Sequence, residues 1–451
     1  MNKRMITLMA AVLALLSASG QVKCIGGAYP TIEVTPDNTT GLKKIFVVYD
    51  THEIEMTYTS STGSKVTWKR FDWQGGNYHE EVVSGTRWDG FTSTLSQVEG
   101  NTGYFIEEDG IIVYYCWVVN YADYYLELND MFVNNSSPCS LVTFNVDGQG
   151  ARIPYYSVNG HYKVLDREIK LSYNTLVWSE EKEDWDDAPV VETFESLEDG
   201  ITIDPPLCDT DFKLSGDRFL EEWGLYQTLD GPHFTTKAVS CGSKAVLPEV
   251  LDENGNPTKV EEGVSEGSAP VRIVFTGYPT DAAVFRQWQM ATDNEFEDIV
   301  QQFNQEEVDY TFMDSGTYYL RFMVANAEGS CEYYGSTYTI NISESQLGGS
   351  DGRLPNAFSP VNGGKWKVSY KSLVDFHCWI YNRWGVLVHE FTNPDEGWDG
   401  KYNGRSVDTG VYFYVITATG SDGVKYNKRG DITILLYKGT SASGEVDNGG
   451  Y

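Results

Sequence analysis

The chain has 451 residues, with 65 Asp or Glu against 33 Lys or Arg and a formal net charge of −32. A field of that sign repels phosphate backbones and argues against a nucleic-acid partner. Thirty Tyr, 44 Gly and few long apolar stripes of helical period predict an all-β protein, long enough for three or four domains of ~100–150 residues.

In chain order, Lys3 and Arg4 come first, before an apolar run from Ile6 to Leu16 and the small residues Ala18-Ser19-Gly20. That order reads as an export signal over residues 1–20, with cleavage before Gln21. The run is too short for a bilayer, which takes ~20 helical residues. Period-2 patterns then recur, and Lys44 to Tyr49, Ile111 to Val119, Tyr318 to Val324 and Val411 to Ile416 read as strands. Only Asp293 to Gln302 has a helical look, and it is short enough to be a loop turn.

One phrase repeats. Asp109-Gly110, Asp199-Gly200, Asp314-Ser315-Gly316-Thr317-Tyr318 and Asp408-Thr409-Gly410-Val411-Tyr412 each lead into an alternating run. Asp and Gly make the turn, because Gly accepts positive φ and Asp bonds nearby backbone donors. In the last two copies a Tyr follows two residues after the Gly, where a sandwich domain can place a corner tyrosine bonded to upstream backbone. The copies predict one β-sandwich each. The expected layout is three Ig-like β-domains, 21–131, 132–232 and 233–345, with Trp68 and Trp288 as core tryptophans. A linker over 346–353, a last domain over 354–438 and a flexible tail over 439–451 follow.

Seven cysteines occur and none forms a CxxC. Six precede the last domain, which allows 15 pairings. Assigning one bridge to each domain predicts Cys24–Cys116, Cys139–Cys208 and Cys241–Cys331, with Cys116–Cys139 as the rival and Cys378 free on a core strand. The six histidines show no metal spacing, and no HExxH, GxSxG or P-loop is present. No cofactor is expected. The acidic run Glu180 to Asp187 offers hard oxygen ligands for Ca²⁺, but it lacks the spacing of an ion loop and reads better as solvated. Trp73, Trp88 and Trp185 stand beside turn residues, where they either stack on sugar rings or anchor loops. Carboxylates are too numerous for a hydrolytic pair to be singled out.

The most specific signal comes last: LPNAFSPVNGG (Leu354 to Gly364), IYNRWGVLVHE (Ile380 to Glu390), WDGKYNG (Trp398 to Gly404), DTGVYFYVI (Asp408 to Ile416) and KRGDITILL (Lys428 to Leu436). In this order the pieces resemble the gliding-motility-associated C-terminal domain, the type B sorting signal of the type IX secretion system. The motif positions are Pro355, Asn356, Phe358, Pro360, Asn382, Arg383, Trp384, Gly385, Trp398, Asp399, Gly400, Gly410 and Tyr412. One departure is clear. The family usually follows PNAFSP with an acidic NGDGxND stretch, and here Val361-Asn362-Gly363-Gly364-Lys365 stands instead.

The resemblance implies tandem Ig-like or PKD-like sandwiches followed by a C-terminal β-sandwich sorting domain. It also implies recognition by type IX outer-membrane export machinery with a barrel-type companion protein, and a place on or outside a Gram-negative cell. Arg383 either stacks on aromatics for structure or touches that machinery. The function expected is an exported cell-surface or secreted β-protein with an adhesive, scaffolding or ligand-binding role toward a surface glycan or protein. The alternative is a secreted hydrolase of polysaccharide or protein with an unrecognised carboxylate site.

Overall fold

The computed structural model describes residues 20–435, apart from residues 61, 138, 261 and 262. Residues 1–19 of the expected export signal and the whole expected tail lie outside the described residues. The protein is all-β. The described residues include one short α-helix, Arg218–Glu222, and no helix long and apolar enough to cross a membrane. They form two compact units, the described residues up to 177 with 185–238, and residues 178–184 with the described residues from 239 on.

The first unit opens with a four-stranded sheet in the order Val22–Gly26, Ile54–Thr59, Thr92–Leu95, Thr86–Trp88. A six-stranded sheet follows, in the order Ile32–Val34, Lys44–Val48, Ile111–Asn120, Thr102–Glu108, Val66–Phe71, Glu81–Val82. Ile54–Thr59 alternates buried and part-exposed residues, as a half-buried strand should. Lys44–Val48 does not: from Ile45 on, every residue is buried. Both faces of the six-stranded sheet are covered. Phe46, Val48, Trp68, Tyr104, Ile106 and Val118 face the four-stranded sheet in one core, and the Trp68 indole donates to Ser93 Oγ at 2.9 Å. Ile45, Val47, Phe105, Trp117 and Val119 lie in a second core that also takes Phe144, Leu171, Phe212 and Leu214. The two segments expected as separate Ig-like domains therefore share one apolar interior.

The second segment adds a three-stranded sheet, Glu127–Ser137, Leu141–Gln149 and Ile201–Ile203, and a four-stranded one in the order Asp184–Phe194, Ile169–Ser179, Thr210–Gly216, Gln227–Phe234. A polar knot sits inside the shared core. Arg167 and Asp217 are both fully buried and paired, Nε to Oδ2, at 2.7 Å. Tyr121 brings its hydroxyl within 3.0 Å of the same carboxylate, and Arg167 Nη2 donates to that hydroxyl at 3.1 Å. Each guanidinium nitrogen thus donates at least once, since Arg167 Nη1 bonds the Ala151 carbonyl at 2.7 Å. Asp217 also caps the helix Arg218–Glu222 through the Leu220 N–H.

The second unit contains a sandwich of a four-stranded sheet, in the order Pro257–Val260, Cys241–Leu251, Val271–Pro279, Glu307–Phe312, and a larger sheet. The larger sheet orders Gly263–Gly267, Tyr338–Ile342, Gly316–Ala325, Phe285–Ala291, Ile299–Phe303, with Glu332–Tyr334 also paired to Gly316–Ala325. Trp288, fully buried, packs among Phe275, Phe322 and Tyr338. Asp293 to Gln302 is not helical. The Asp293 carboxylate accepts the Glu297 and Asp298 amides at 3.0 and 2.7 Å, which closes a turn, and Ile299–Phe303 leaves it as a strand. A carboxylate that bonds its own downstream amides offers the chain an alternative to a helix.

The expected disulfides need correction. Cys139 and Cys331 are each disulfide-bonded, while Cys24, Cys116, Cys208, Cys241 and Cys378 are free thiols. Neither Cys139–Cys208 nor Cys241–Cys331 is formed, and Cys24–Cys116 and Cys116–Cys139 are not formed either. Membership of one domain does not bring two Cβ atoms to the ~4 Å a bridge requires. Cys241, for example, turns its sulfur toward the Phe322 carbonyl at 3.7 Å.

The last domain has a five-stranded sheet in the order Ala357–Phe358, Lys425–Ile434, Gly410–Gly420, Leu373–Tyr381, Leu387–Phe391. Cys378 is fully buried within it, and His377 points to the other face, half-exposed. The stretch expected as a linker is built into this part of the fold. Gln346–Leu347 pairs with Tyr370–Lys371, Leu347 is buried, and the Gly348 amide bonds the Ser369 carbonyl at 2.8 Å. Its Gly-rich composition concealed one apolar anchor, Leu347.

Candidate functional site

The motif residues of the last domain separate into an inner set that builds it and an outer set that faces solvent. Trp398 is fully buried and forms a backbone bridge with Trp366, with N–O distances of 2.8 and 2.9 Å. The Trp366 indole donates to the Pro355 carbonyl at 2.6 Å. That bond, together with the Thr433 amide on the Asn356 carbonyl at 2.8 Å, guides Ala357–Phe358 into parallel pairing with Thr433 and Ile434. Phe358 then meets Trp398 with ring centroids 5.7 Å apart. Pro360 lies against Gly400, where an added Cβ would stand 3.2 Å from the proline. Asp399 holds the next turn through the Lys401 amide and ammonium at 3.1 and 2.8 Å. Those bonds from Lys401, the ammonium's first, hold its carboxyl below the usual range.

The corner phrase has a defined geometry. Gly410 has φ +146°, and the Tyr412 hydroxyl donates to the Asp408 carbonyl at 3.0 Å. The earlier copy matches it: Gly316 has φ +145°, and Tyr318 donates to the Asp314 carbonyl at 3.2 Å. Side chains with a Cβ rarely occupy this region. Gly410→Val should therefore cost about 1–3 kcal/mol, and Tyr412→Phe about 0.5–1.5 kcal/mol. Hydrogen exchange along Gly410–Gly420 in the mature chain checks both, with faster exchange expected in each variant and the larger effect at Gly410.

The outer set is a hairpin tip. Asn382 Oδ1 accepts the Trp384 and Val386 amides, each at 3.0 Å, which fixes the turn between Leu373–Tyr381 and Leu387–Phe391. Arg383 lies over the Trp384 ring at 4.1 Å. Trp384 is 73% exposed. Beside it runs an open groove of about 560 Å³ lined by Trp384, Tyr402, Arg405 and Asp408, among others. Tyr402 and Arg405 were not found from the sequence. They sit in a polar hairpin, Lys401–Tyr402 with Arg405–Ser406, which shows no apolar period. The tip thus carries an exposed indole under a guanidinium, with a second arginine across the same groove.

Residues 352–434 match the family model described as the CHU_C type IX secretion signal domain. They are a type IX secretion signal domain. The signal domain implies use of the type IX export machinery and export to the cell surface or the outside of a bacterium. Residues 131–230, ahead of it, match the model of a fibronectin type III domain. The chain is thus a type IX-sorted secreted or surface β-protein of several domains.

No curated protein matches the chain. Among solved structures it is similar to the chicken CNTN1 FN1–FN3 domains, at 11% identity over 69% of this chain and 99% of that one, with a TM-score of 0.20. It is also similar to dimeric latent PorU of Porphyromonas gingivalis, at 10% identity over 69% of this chain and 34% of that one, with a TM-score of 0.15.

The other candidate residues stand apart from the signal domain's motif. Trp73 is 61% exposed in the turn after Val66–Phe71. Trp88 ends Thr86–Trp88, an edge strand of the other sheet. Trp185 is half-buried on Asp184–Phe194. These placements assemble no common platform. In the acidic run, Glu180 accepts the Trp178 indole N–H at 2.7 Å, and Glu183 pairs with Lys244 and Lys259. Those bonds from lysine, Lys244 first, lower the Glu183 pKa. Trp178 lies on Gly242, where a Cβ would meet its ring at 2.6 Å. This part of the run works as a clamp. Among the described residues no group of three or more His, Cys, Asp or Glu could hold a metal ion.

Proposed function

We propose that the protein is an adhesive, scaffolding or ligand-binding component displayed on or released from a Gram-negative cell. In this reading the signal domain presents the Arg383–Trp384 tip and its groove to the export machinery and a barrel-type companion, and the sandwiches ahead of it contact a glycan or protein outside the cell. The observation that carries the export half is the division within the motif. Trp398, Phe358 and Tyr412 are consumed by the core, so recognition falls to the exposed Arg383 and Trp384. The binding half is supported by tandem sandwiches with solvent-facing sheets. A hydrolase would need two carboxylates held across a cleft. The buried carboxylates here have other work: Asp217 pairs with Arg167, and Glu108 accepts from the hydroxyls of Ser60, Thr62 and Tyr58.

Deleting residues 354–451 should trap the remainder in the periplasm. Arg383→Ala with Trp384→Ala should lower the extracellular amount severalfold while the purified chain unfolds at the same temperature as wild type. Cell fractionation and immunoblotting check both. The truncated chain at normal levels outside the cell would sink the export reading. A tip variant exported normally would move recognition to another face.

A further inference from the structure

Arg321 stands on the solvent-facing side of the larger sheet in the second unit's sandwich. Its strand Gly316–Ala325 sends Leu320, Phe322 and Val324 into the core, so alternation turns Arg321 outward. The guanidinium is held between two rings, 3.8 Å from the Phe296 centroid and 4.2 Å from that of Tyr334. Nε donates to Gln289 Oε1 at 2.9 Å. The ordering continues outward: Gln289 donates to Gln287 at 3.2 Å, and Gln287 donates to Asn304 at 3.0 Å. A row of polar side chains thus crosses three neighbouring strands or their ends, each oriented by the next.

Two things about this row point to a ligand. The Arg321 Nη nitrogens have no acceptor among the described residues, and no carboxylate pairs with them. A guanidinium has five N–H donors, so four remain on a fork already fixed in place by the Gln289 bond and the two rings. Second, Phe296 holds its half of the clamp at φ +58°, a costly conformation for a bulky residue. The Asp293 turn maintains it, accepting the Glu297 and Asp298 amides. Ordering and strain are spent on presenting one cation.

We propose that this face binds an acidic polysaccharide, with the Arg321 fork, held from beneath by the buried Gln289, taking the carboxylate of a uronic acid, and Gln287 and Asn304 bonding the ring hydroxyls beside it. The fork matches a carboxylate in a bidentate way. Gln287 and Asn304 continue the polar row away from the fork, and Tyr334, 44% exposed, offers a ring to the C–H face. The net charge of −32 opposes any polyanion. At ~0.15 M salt that field is screened beyond ~8 Å, whereas contacts at hydrogen-bond distance are not.

The inference rests on the ligand-binding reading above. Its test uses the purified full chain, so an export failure leaves it untouched and the two readings fail separately. Affinity electrophoresis at ~0.15 M salt should show retention by alginate or polygalacturonate and none by dextran or poly-L-glutamate. Monomeric galacturonate should compete. Arg321→Gln should weaken retention about tenfold or more. Arg321→Lys, which keeps the charge and loses the fork, should do the same and serves if the first variant does not fold. Arg286→Gln, at an exposed arginine already paired with Glu306, should change nothing. Absence of retention on both uronates, equal retention of folded Arg321 variants, or retention by poly-L-glutamate alone would overturn the proposal.

Discussion

Arg167→Met is expected to destabilise the first unit by about 3–5 kcal/mol, the cost of leaving a buried charge without its partner. Asp217 is fully buried and would keep only the Tyr121 hydroxyl and the Leu220 amide. The Ala151 carbonyl would lose its donor as well. A stability of only 5–15 kcal/mol is usual for a domain, so the loss is a large share. Urea unfolding followed by tryptophan fluorescence measures it, since Trp117 and Trp223 belong to the same core. Adding Asp217→Asn to Arg167→Met should recover part of the loss, because the orphaned charge is then gone. A single variant within 1 kcal/mol of wild type would mean that water reaches the carboxylate.

Trp398→Ala should cost the signal domain about 3–5 kcal/mol and abolish export by unfolding it. The side chain is fully buried. It touches Phe358 and Tyr412, with centroids 5.7 and 5.1 Å away. Its loss would leave a cavity between the N-terminal segment of the domain and the corner tyrosine, two elements that Trp398 joins. Limited proteolysis of the mature chain should then cut first within residues 354–434. The contrast with the Arg383 and Trp384 pair is the informative part. Those variants should fold and travel poorly, whereas Trp398→Ala should not fold at all. A Trp398→Ala chain that resists protease like wild type would show that the core closes without the indole.

Much of this fold could be read from alternation and turn residues. Lys44–Val48, Ile111–Asn120 and Gly410–Gly420 announce themselves through β-branched and aromatic runs, and the signal-domain motifs are local in sequence. Four things were not legible, each for a physical reason. An apolar run looks the same whether a second sheet or a second domain covers it, so the double burial around Ile45 and Trp117 could not be seen. The Arg167 knot joins residues 50 and 96 positions away from Asp217, and no spacing rule marks such a meeting. The pairing of Glu183, within the acidic run Glu180 to Asp187, was hidden because its partners, Lys244 and Lys259, lie some sixty or more residues further on. Arg321 escaped notice because its clamp depends on a turn, at Asp293, that local pattern left open between a helix and a loop.

The shared interior of the first unit bears on how the protein would respond to being pulled. Tethered tandem modules usually give way one at a time, each releasing its own length of slack. Here Trp117 and Val119 from the first segment and Phe144 and Leu214 from the second occupy one core, with Tyr121 bonded to Asp217 across it. Neither segment can open without uncovering the other. Stretched in a single-molecule experiment, the pair should rupture together, in one long extension where independent modules would show two short ones.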